Sequence, residues 1–487
     1  MKVFNTFKII TLSAVLLLGA SCQNFLDVNN NPNSPESTPE SLQLSALLGN
    51  FSYEIVGNQP SRIASEWMQQ TAWNGVPPST DNYDLNENGV NNLWAYWSYT
   101  DVMNNARKLN DQAVTNENFA YAGIAKTLLA WNLSVVTDLW NEAPYSKAFD
   151  PTNTTPEYDQ QQVLYTTIFG ILDDAIADYG KQSKLMPGTD DLLYGGDMAK
   201  WLKLTYTLRA RLEMHLTEAP GFDAKTQAQA ALNDLTKGFT SNADNANFQY
   251  FDAKNAENPW YQFAIDGKWD TRNQMSKHYV DLLTNLNDPR LPVQARPVGA
   301  VDNNGLTNAT ITNPTYVGHL NGTDGEGAAN ISSIGSYYSS ASSSLNWFNY
   351  SEVKFIEAEA TYIISGATAA EPIFKDAVAA SMDQLGIDSG DSQTYINNLP
   401  QLTASNAVEQ IITQKYIANY LHFEVYNDWR RTGYPQLQIA AGAKTQIIPR
   451  RFPYPSSELQ NNAANVSKTG VPVGYKSMEM RVWWDTK

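Results

Sequence analysis

Flat aromatic side chains set among amides stand in two breaker-rich stretches of the chain. In residues 67–97, Trp67, Trp73, Tyr83, Trp94, Tyr96 and Trp97 fall among Gln69, Gln70, Asn74, Asp81 and Asn82. In residues 260–347, Trp260, Trp269, Tyr337, Tyr338 and Trp347 fall near Arg272 and Asn273. A pyranose ring offers an apolar C–H face that stacks on an aromatic plane. Its hydroxyls need amide, carboxylate or guanidinium partners, so aromatics on loops beside amides are what a sugar site requires. Trp73 and Tyr83 lie in a loop and are the better platforms of the first stretch. Trp94 and Trp97, three apart on a predicted helix, are more simply explained as core. The candidate ligand-binding set is Trp73, Asn74, Tyr83, Trp269, Arg272, Tyr337 and Trp347. Trp73, Tyr83, Trp269 and Trp347 would be stacking platforms, with Arg272 and Asn74 as hydrogen-bonding partners.

Other chemistry is poorly represented. The four histidines, His215, His278, His319 and His422, never pair at metal-ligand spacing, which disfavours a zinc enzyme. Gly325-Glu326-Gly327 begins like a dinucleotide fingerprint, but Asn330 replaces its third glycine and no strand precedes it. Asp84–Gly89 matches the first half of a calcium loop, yet Ala95 stands where the bidentate Glu is needed. Structural calcium in other Asp- and Asn-rich loops stays open; no other cofactor is expected. Glu357 and Glu359, two apart on a predicted helix, face different ways and make a poor acid–base pair. Asp173 and Asp174 fall on the polar side of another helix. No catalytic residue is nominated, although acidic pairs are numerous enough to leave a glycosidase or lyase as an alternative.

The N-terminus reads as an address and an anchor. Lys2 and Lys8 precede an apolar run, Ile9–Leu18, then Gly19, Ala20, Ser21 and the only cysteine, Cys22. The run is about half the ~20 residues of a membrane span, which marks a secretory signal over residues 1–21. Small residues directly before a cysteine resemble a lipobox, so Cys22 is expected to be lipidated. Gly19 departs from the usual Leu three places before it. Residues 22–39, rich in Asn, Pro and Ser, form a tether, and 40–487 a single domain. No other stretch reads as apolar enough to span. Loss of Lys2 and Lys8 takes the 33 basic residues to 31 against 50 acidic, a net of −19. That argues against nucleic acid as the partner, because phosphate binding needs clustered Lys and Arg.

The elements that must position the candidate residues are mostly helices. Apolar stripes at spacings of three and four predict helices over 91–111, 118–137, 158–180, 198–217, 222–237, 351–365, 371–385 and 404–424. They pair at irregular spacings near roughly 35–40 residues, which suggests helical-hairpin repeats of the tetratricopeptide kind. Residues 240–350 change character towards Pro, Gly, Asn and Ser, and only 273–286 reads as helix there. A loop-rich stretch of that length is usually functional or disordered.

Several runs occur in order along the chain: LWNEAPYSKA at 139–148, NDPRL at 287–291, SEVKFIEAEA at 351–360, QKYIANYLHFEVYNDWRRTGYPQ at 414–436 and PRRFPYPSSE at 449–458. Together they resemble the SusD/RagB family of outer-membrane lipoproteins, and most closely its SusD-like branch. The resemblance implies a mostly α fold, with four helical-hairpin units supporting a loop-rich ligand-binding face. It implies a non-enzymatic lipoprotein on the surface of a Bacteroidota-type cell. Such a protein lids a SusC-like TonB-dependent transporter and delivers oligosaccharides or other nutrients to it, with peptides or other non-glycan nutrients as the alternative ligand. Within the conserved-looking runs, Asp428, Arg430 and Arg431 beside Trp429 read as a core ion network, not as ligand contacts.

Overall fold

A computed structural model describes residues 38–487 apart from Trp269. Cys22, the export segment and residues 22–37 of the tether lie outside the described residues. Near the N-terminus, α1 (Glu40–Asn50) runs on as a π-helical turn, Phe51–Val56, before α2 (Gln59–Trp67). A second π-helical stretch, Asn92–Asn104, runs into α3 (Asn105–Thr115). Then follow α4 (Phe119–Trp140), α5 (Gln161–Tyr179), α6 (Met198–His215) and α7 (Ala224–Leu235). The chain leaves the helical layer, forms α8 (Lys277–Leu286), and returns as α9 (Tyr350–Ser365), which packs directly on α7. α10 (Ala367–Gln384), α11 (Ala407–Ala418) and α12 (Glu424–Thr432) complete the stack. Successive helices pack on one another, α3 on α4, α4 on α5, α6 on α7, α9 on α10, in the tetratricopeptide-like manner.

The predicted stripes are the buried faces. Trp201, Leu204, Leu208 and Leu212 of α6 are all buried, as are Ile124, Leu128, Trp131 and Val135 of α4. α4 corrects one expectation: by length and composition it is apolar enough to cross a membrane, yet here almost all of it is packed inside the protein. Short polar side chains start the helices by accepting orphan N–H groups. Asp197 caps α6, Asp223 caps α7 and Asn349 caps α9.

Charges buried between the helices meet in pairs. Arg211 on α6 grips Glu352 on α9 through two bonds of 2.8 Å. Lys415 on α11 lies 2.8 Å from Asp428 on α12, and Arg431 binds both Glu359 and Asp428. Arg430 donates to the carbonyls of Asp138 and Arg450 at 2.6 and 2.9 Å. His215 lies 2.7 Å from Glu424, and Tyr165 bridges its other ring nitrogen to Asp138. This is the core network anticipated for Asp428, Arg430 and Arg431.

Two predicted helices are interrupted. Residues 273–275 are a strand, and Ser276 caps a helix that begins only at Lys277. The predicted helix 404–424 stops at Ala418 and restarts at Glu424. The side chain of Gln70 forces the break by accepting the Leu421 N–H at 2.9 Å and donating to the Tyr416 carbonyl at 2.9 Å, with Leu421 at φ +67. Segment 240–350 is also more structured than expected. It adds a helical turn, Pro259–Ala264, and supplies seven of the eight strands in four antiparallel ribbons. These are β1 (Thr71–Trp73) with β3 (Asn273–Met275), β2 (Ala246–Phe248) with β8 (Leu345–Phe348), β4 (Ala295–Arg296) with β7 (Ser333–Ile334), and β5 (Val301–Asp302) with β6 (Gly305–Leu306).

Candidate functional site

The β1–β3 ribbon sets Trp73 opposite Asn273, which brings Arg272 onto the tryptophan. The Arg272 guanidinium carbon lies 4.3 Å from the centre of the Trp73 ring. Asp270 fixes it through two bonds of 3.0 Å, and that bond holds the guanidinium above its ordinary pKa. About half of the arginine side chain stays exposed, and Trp73 is half-buried. A cation held over an indole face in this way is rigid before any ligand arrives.

Beneath this pair lies a floor of buried acids. Asp81, fully buried, accepts the N–H groups of Trp73 and Gly322 at 3.1 and 3.0 Å, and so ties the first aromatic stretch to the 320s loop. Glu66 on α2 accepts the Thr80 hydroxyl. Burial, and then the charge of Asp81, push its carboxyl up to about 8, so it is protonated at neutral pH and does not repel its neighbour. Arg62, also on α2, is near enough to Glu66, Tyr53 and Asp270 to feel all three, and burial holds its pKa below the usual value. Its guanidinium covers the ring of Phe263 at 4.0 Å. Phe263 lies 6.4 Å from Tyr53, whose hydroxyl donates to Gln262 at 2.8 Å.

This aromatic and guanidinium cluster adjoins an open cleft of about 800 Å³ lined by Tyr53, Lys254, Asn255, Glu257, Gln262, Asp266 and Lys268. That size lies within the roughly 300–1,000 Å³ typical of ligand sites. Its walls combine the half-buried ring of Tyr53 with amide, carboxylate and ammonium groups. Tyr53 sits on the π-helical turn after α1, a type of irregularity often found at functional sites.

Of the residues nominated from sequence, Trp73 and Arg272 meet as a pair. Trp269, one residue before Asp270, is outside the described residues. Three nominations are corrected. Tyr83 is fully buried against Trp67, and its hydroxyl accepts the Ala440 N–H at 3.0 Å. Trp347 is 2% exposed, stacks on Phe248 at 5.6 Å and donates to Ser52. Trp347 is core because the β2–β8 ribbon turns it inwards, and Tyr83 because its own left-handed backbone, ending the short turn Thr80–Asn82, folds its ring under the loop. Asn74 is buried too, and its amide is consumed within the loops: it donates to Gln274 at 2.6 Å and accepts the Glu326 N–H at 2.7 Å. Gly325 is what lets that loop approach, since a Cβ there would lie 2.9 Å from the Asn74 carbonyl oxygen. Tyr337 is 40% exposed and lines a different cavity. The sequence reading missed Tyr53, Arg62, Gln262 and Phe263. They become neighbours only through tertiary packing, and the one local signal was an aromatic–acid pair, Tyr53-Glu54, ahead of the breaker run Asn58-Gln59-Pro60.

The half calcium loop serves as a clasp. Asp84 accepts the Tyr475 hydroxyl, and Glu87 accepts the Gly474 N–H at 2.7 Å. Among the described residues, no group of three or more His, Cys, Asp or Glu is arranged to hold a metal ion.

Comparison with known proteins is consistent with this architecture. The SusD-like family model, described as starch-binding and associating with the outer membrane, matches residues 32–455. A solved chitin-binding protein shares 26% identity, with a TM-score of 0.77 over 92% of this chain and 100% of its own. A SusD/RagB family protein from Bacteroides thetaiotaomicron shares 24%, with a TM-score of 0.78 over 92% and 99%. A chitin-binding SusD homologue from Flavobacterium johnsoniae shares 23%, with a TM-score of 0.72 over 92% and 98%. No curated protein matches the sequence.

Proposed function

The chain belongs to the SusD-like family, and from that membership we propose that it is a lipid-anchored receptor at the outer membrane that binds glycan chains. In this reading Cys22 carries the anchor, and a SusC-like TonB-dependent transporter receives the bound oligosaccharide. The observation that carries the ligand assignment is the half-exposed Trp73–Arg272 pair, and a cleft of about 800 Å³ lined by Tyr53 and polar side chains supports it. An exposed cation–aromatic pair gives a sugar both a stacking face and charged hydrogen-bond donors. The starch-binding description of the family and the chitin-binding relatives support a neutral polysaccharide as the ligand class.

The protein acts here as a binder, not an enzyme. Glu66, whose carboxyl pKa burial raises, is enclosed in the protein and engaged by Thr80. Calorimetry on a soluble form beginning after Cys22 tests the reading, with starch and chitin oligosaccharides at the head of a polysaccharide panel. Saturable binding with the polymer intact is the expected result. Release of new reducing ends would replace the receptor with a hydrolase or lyase, and binding only to peptides would replace the ligand class. Co-purification of a barrel protein with the anchored form tests the transporter partnership.

A further inference from the structure

We propose that the chain carries a second binding site, a cavity behind Tyr337 that takes a single neutral pyranose ring, separate from the Trp73–Arg272 pair and from the large cleft at Tyr53. The proposal rests on the glycan reading above. The cavity has a volume of about 160 Å³, and its walls include Trp260, Tyr337, Tyr338, Asn346, Tyr420 and His422. A space this small encloses one ring or a chain terminus, not an oligosaccharide.

Three features make it a built site. First, Trp260 is 1% exposed, and its indole N–H has no hydrogen-bond partner in the protein. Buried donors are nearly always satisfied, so an orphan lining a cavity marks a place for an acceptor. Second, the Asn346 amide donates to Asn247 at 2.7 Å while its own oxygen has no partner. Both residues line the cavity, so a small shift of its wall offers this donor and acceptor to the ether and hydroxyl groups of a sugar ring. Third, a ladder of rings holds the aromatic wall in place. Tyr279 stacks on Tyr420 at 4.9 Å, Tyr420 meets Tyr338 edge-on at 5.1 Å, and Tyr338 meets Tyr337 at 4.9 Å. Tyr337 ends the ladder, 40% exposed, as a preset stacking face.

Neutrality follows from the lining, which contains no Lys, Arg, Asp or Glu. His422 does not supply a charge: burial, and then the nearby Arg211, push its imidazole down to about 3. The break between α11 and α12 is what presents Tyr420, Leu421 and His422 to the cavity. The helical turn Pro259–Ala264 links the two sites, with Gln262 on the large cleft and Trp260 on the small cavity.

Saturation-transfer NMR on the soluble full chain tests this with methyl β-glucopyranoside, methyl N-acetyl-β-glucosaminide and glucuronate, in a Tyr53→Ala, Trp73→Ala background that removes the aromatic of the large cleft and the platform of the Trp73–Arg272 pair. The neutral glycosides should show transfer and glucuronate none. Trp260→Phe, which keeps a ring and deletes the N–H, should weaken binding about fivefold, the worth of one hydrogen bond. Tyr337→Ala should weaken it about tenfold, the worth of a stacking platform. Near-UV circular dichroism confirms that each variant is folded. Absence of transfer in the parent, equal binding by both variants, or equal binding of glucuronate would each overturn the proposal. Polysaccharide calorimetry on the unmutated chain reports separately on the large cleft, so failure of one reading does not hide failure of the other.

Discussion

The ion pairs of the helical stack and the candidate site residues of the loop-rich excursion between α7 and α9 use their polar groups differently. In the stack, buried charges meet opposite charges: Arg211 with Glu352, Lys415 with Asp428, Arg431 with Glu359. In the excursion, Arg272 keeps half its side chain in solvent, and Trp260 and Asn346 leave a donor and an acceptor unmet. The first arrangement fixes how helices dock, because a buried ion without its partner is costly and the alternatives are excluded. The second leaves affinity unspent within the protein, which is what a ligand requires. Stability and binding should therefore separate along this boundary.

Arg211→Ala tests the separation most severely. It leaves Glu352, whose side chain has no solvent exposure, with only the longer 3.7 Å contact to Lys415, and removes a guanidinium packed 3.6 Å over Phe348. Urea unfolding should show a loss of about 3–5 kcal/mol. A loss under about 1 kcal/mol would mean that the network is not what docks α6 on α9.

The same network predicts a pH response. Burial disfavours a charged imidazole at His215, but Glu424 and Asp138 outweigh it and raise the group from 6.5 to about 9. A raised basic group stabilises fully below its unfolded value and loses that contribution as pH rises through its folded value. Stability should thus fall by up to about 3 kcal/mol between pH 6.5 and 9. Glu424, for which burial is outweighed by His215 and Arg211, sits below the ordinary carboxylate range, so its contribution fades only as the medium becomes strongly acid. Unfolding midpoints at pH 6, 8 and 10 should decline in the parent and flatten above pH 6.5 in His215→Gln. Parallel declines in both would assign the response elsewhere.

Trp73→Ala is the reverse experiment. It should cost about 2 kcal/mol of glycan binding with little change in the unfolding midpoint. Loss of stability without loss of affinity would move Trp73 to the scaffold side of the boundary. The sequence separates these two kinds of residue unevenly. Helices announce themselves by period, so α4 to α7, α9 and α10 are legible to within a few residues. The stripe 404–424 misleads because its apolar spacing continues through a break that Gln70, about 350 positions away, imposes. In the loops no period exists. Trp73, Tyr83 and Trp347 look alike as aromatics among breakers, and only the folded chain, a ribbon for Trp347 and a left-handed turn for Tyr83, decides that the last two turn inwards. Arg62 and Phe263 meet across 201 positions and leave no local trace.

Tyr83 offers the finest discrimination, because it was nominated as a platform and is found in the core. Its ring packs edge-on to Trp67 at 6.4 Å, and burial pushes its hydroxyl pKa up to about 12. The hydroxyl accepts the Ala440 N–H, so Tyr83→Phe preserves the packed ring and strands one backbone donor. That should cost about 1 kcal/mol of stability. Ligand affinity should not move, because the deleted oxygen lies on the floor side of the loop with no exposed surface. If calorimetry instead showed affinity falling while the unfolding midpoint held, the loop would have to open in solution and present Tyr83 to the sugar. The boundary between scaffold and site would then run beneath Asp81 and Tyr83, not above them, and the first aromatic stretch as a whole would belong to the ligand.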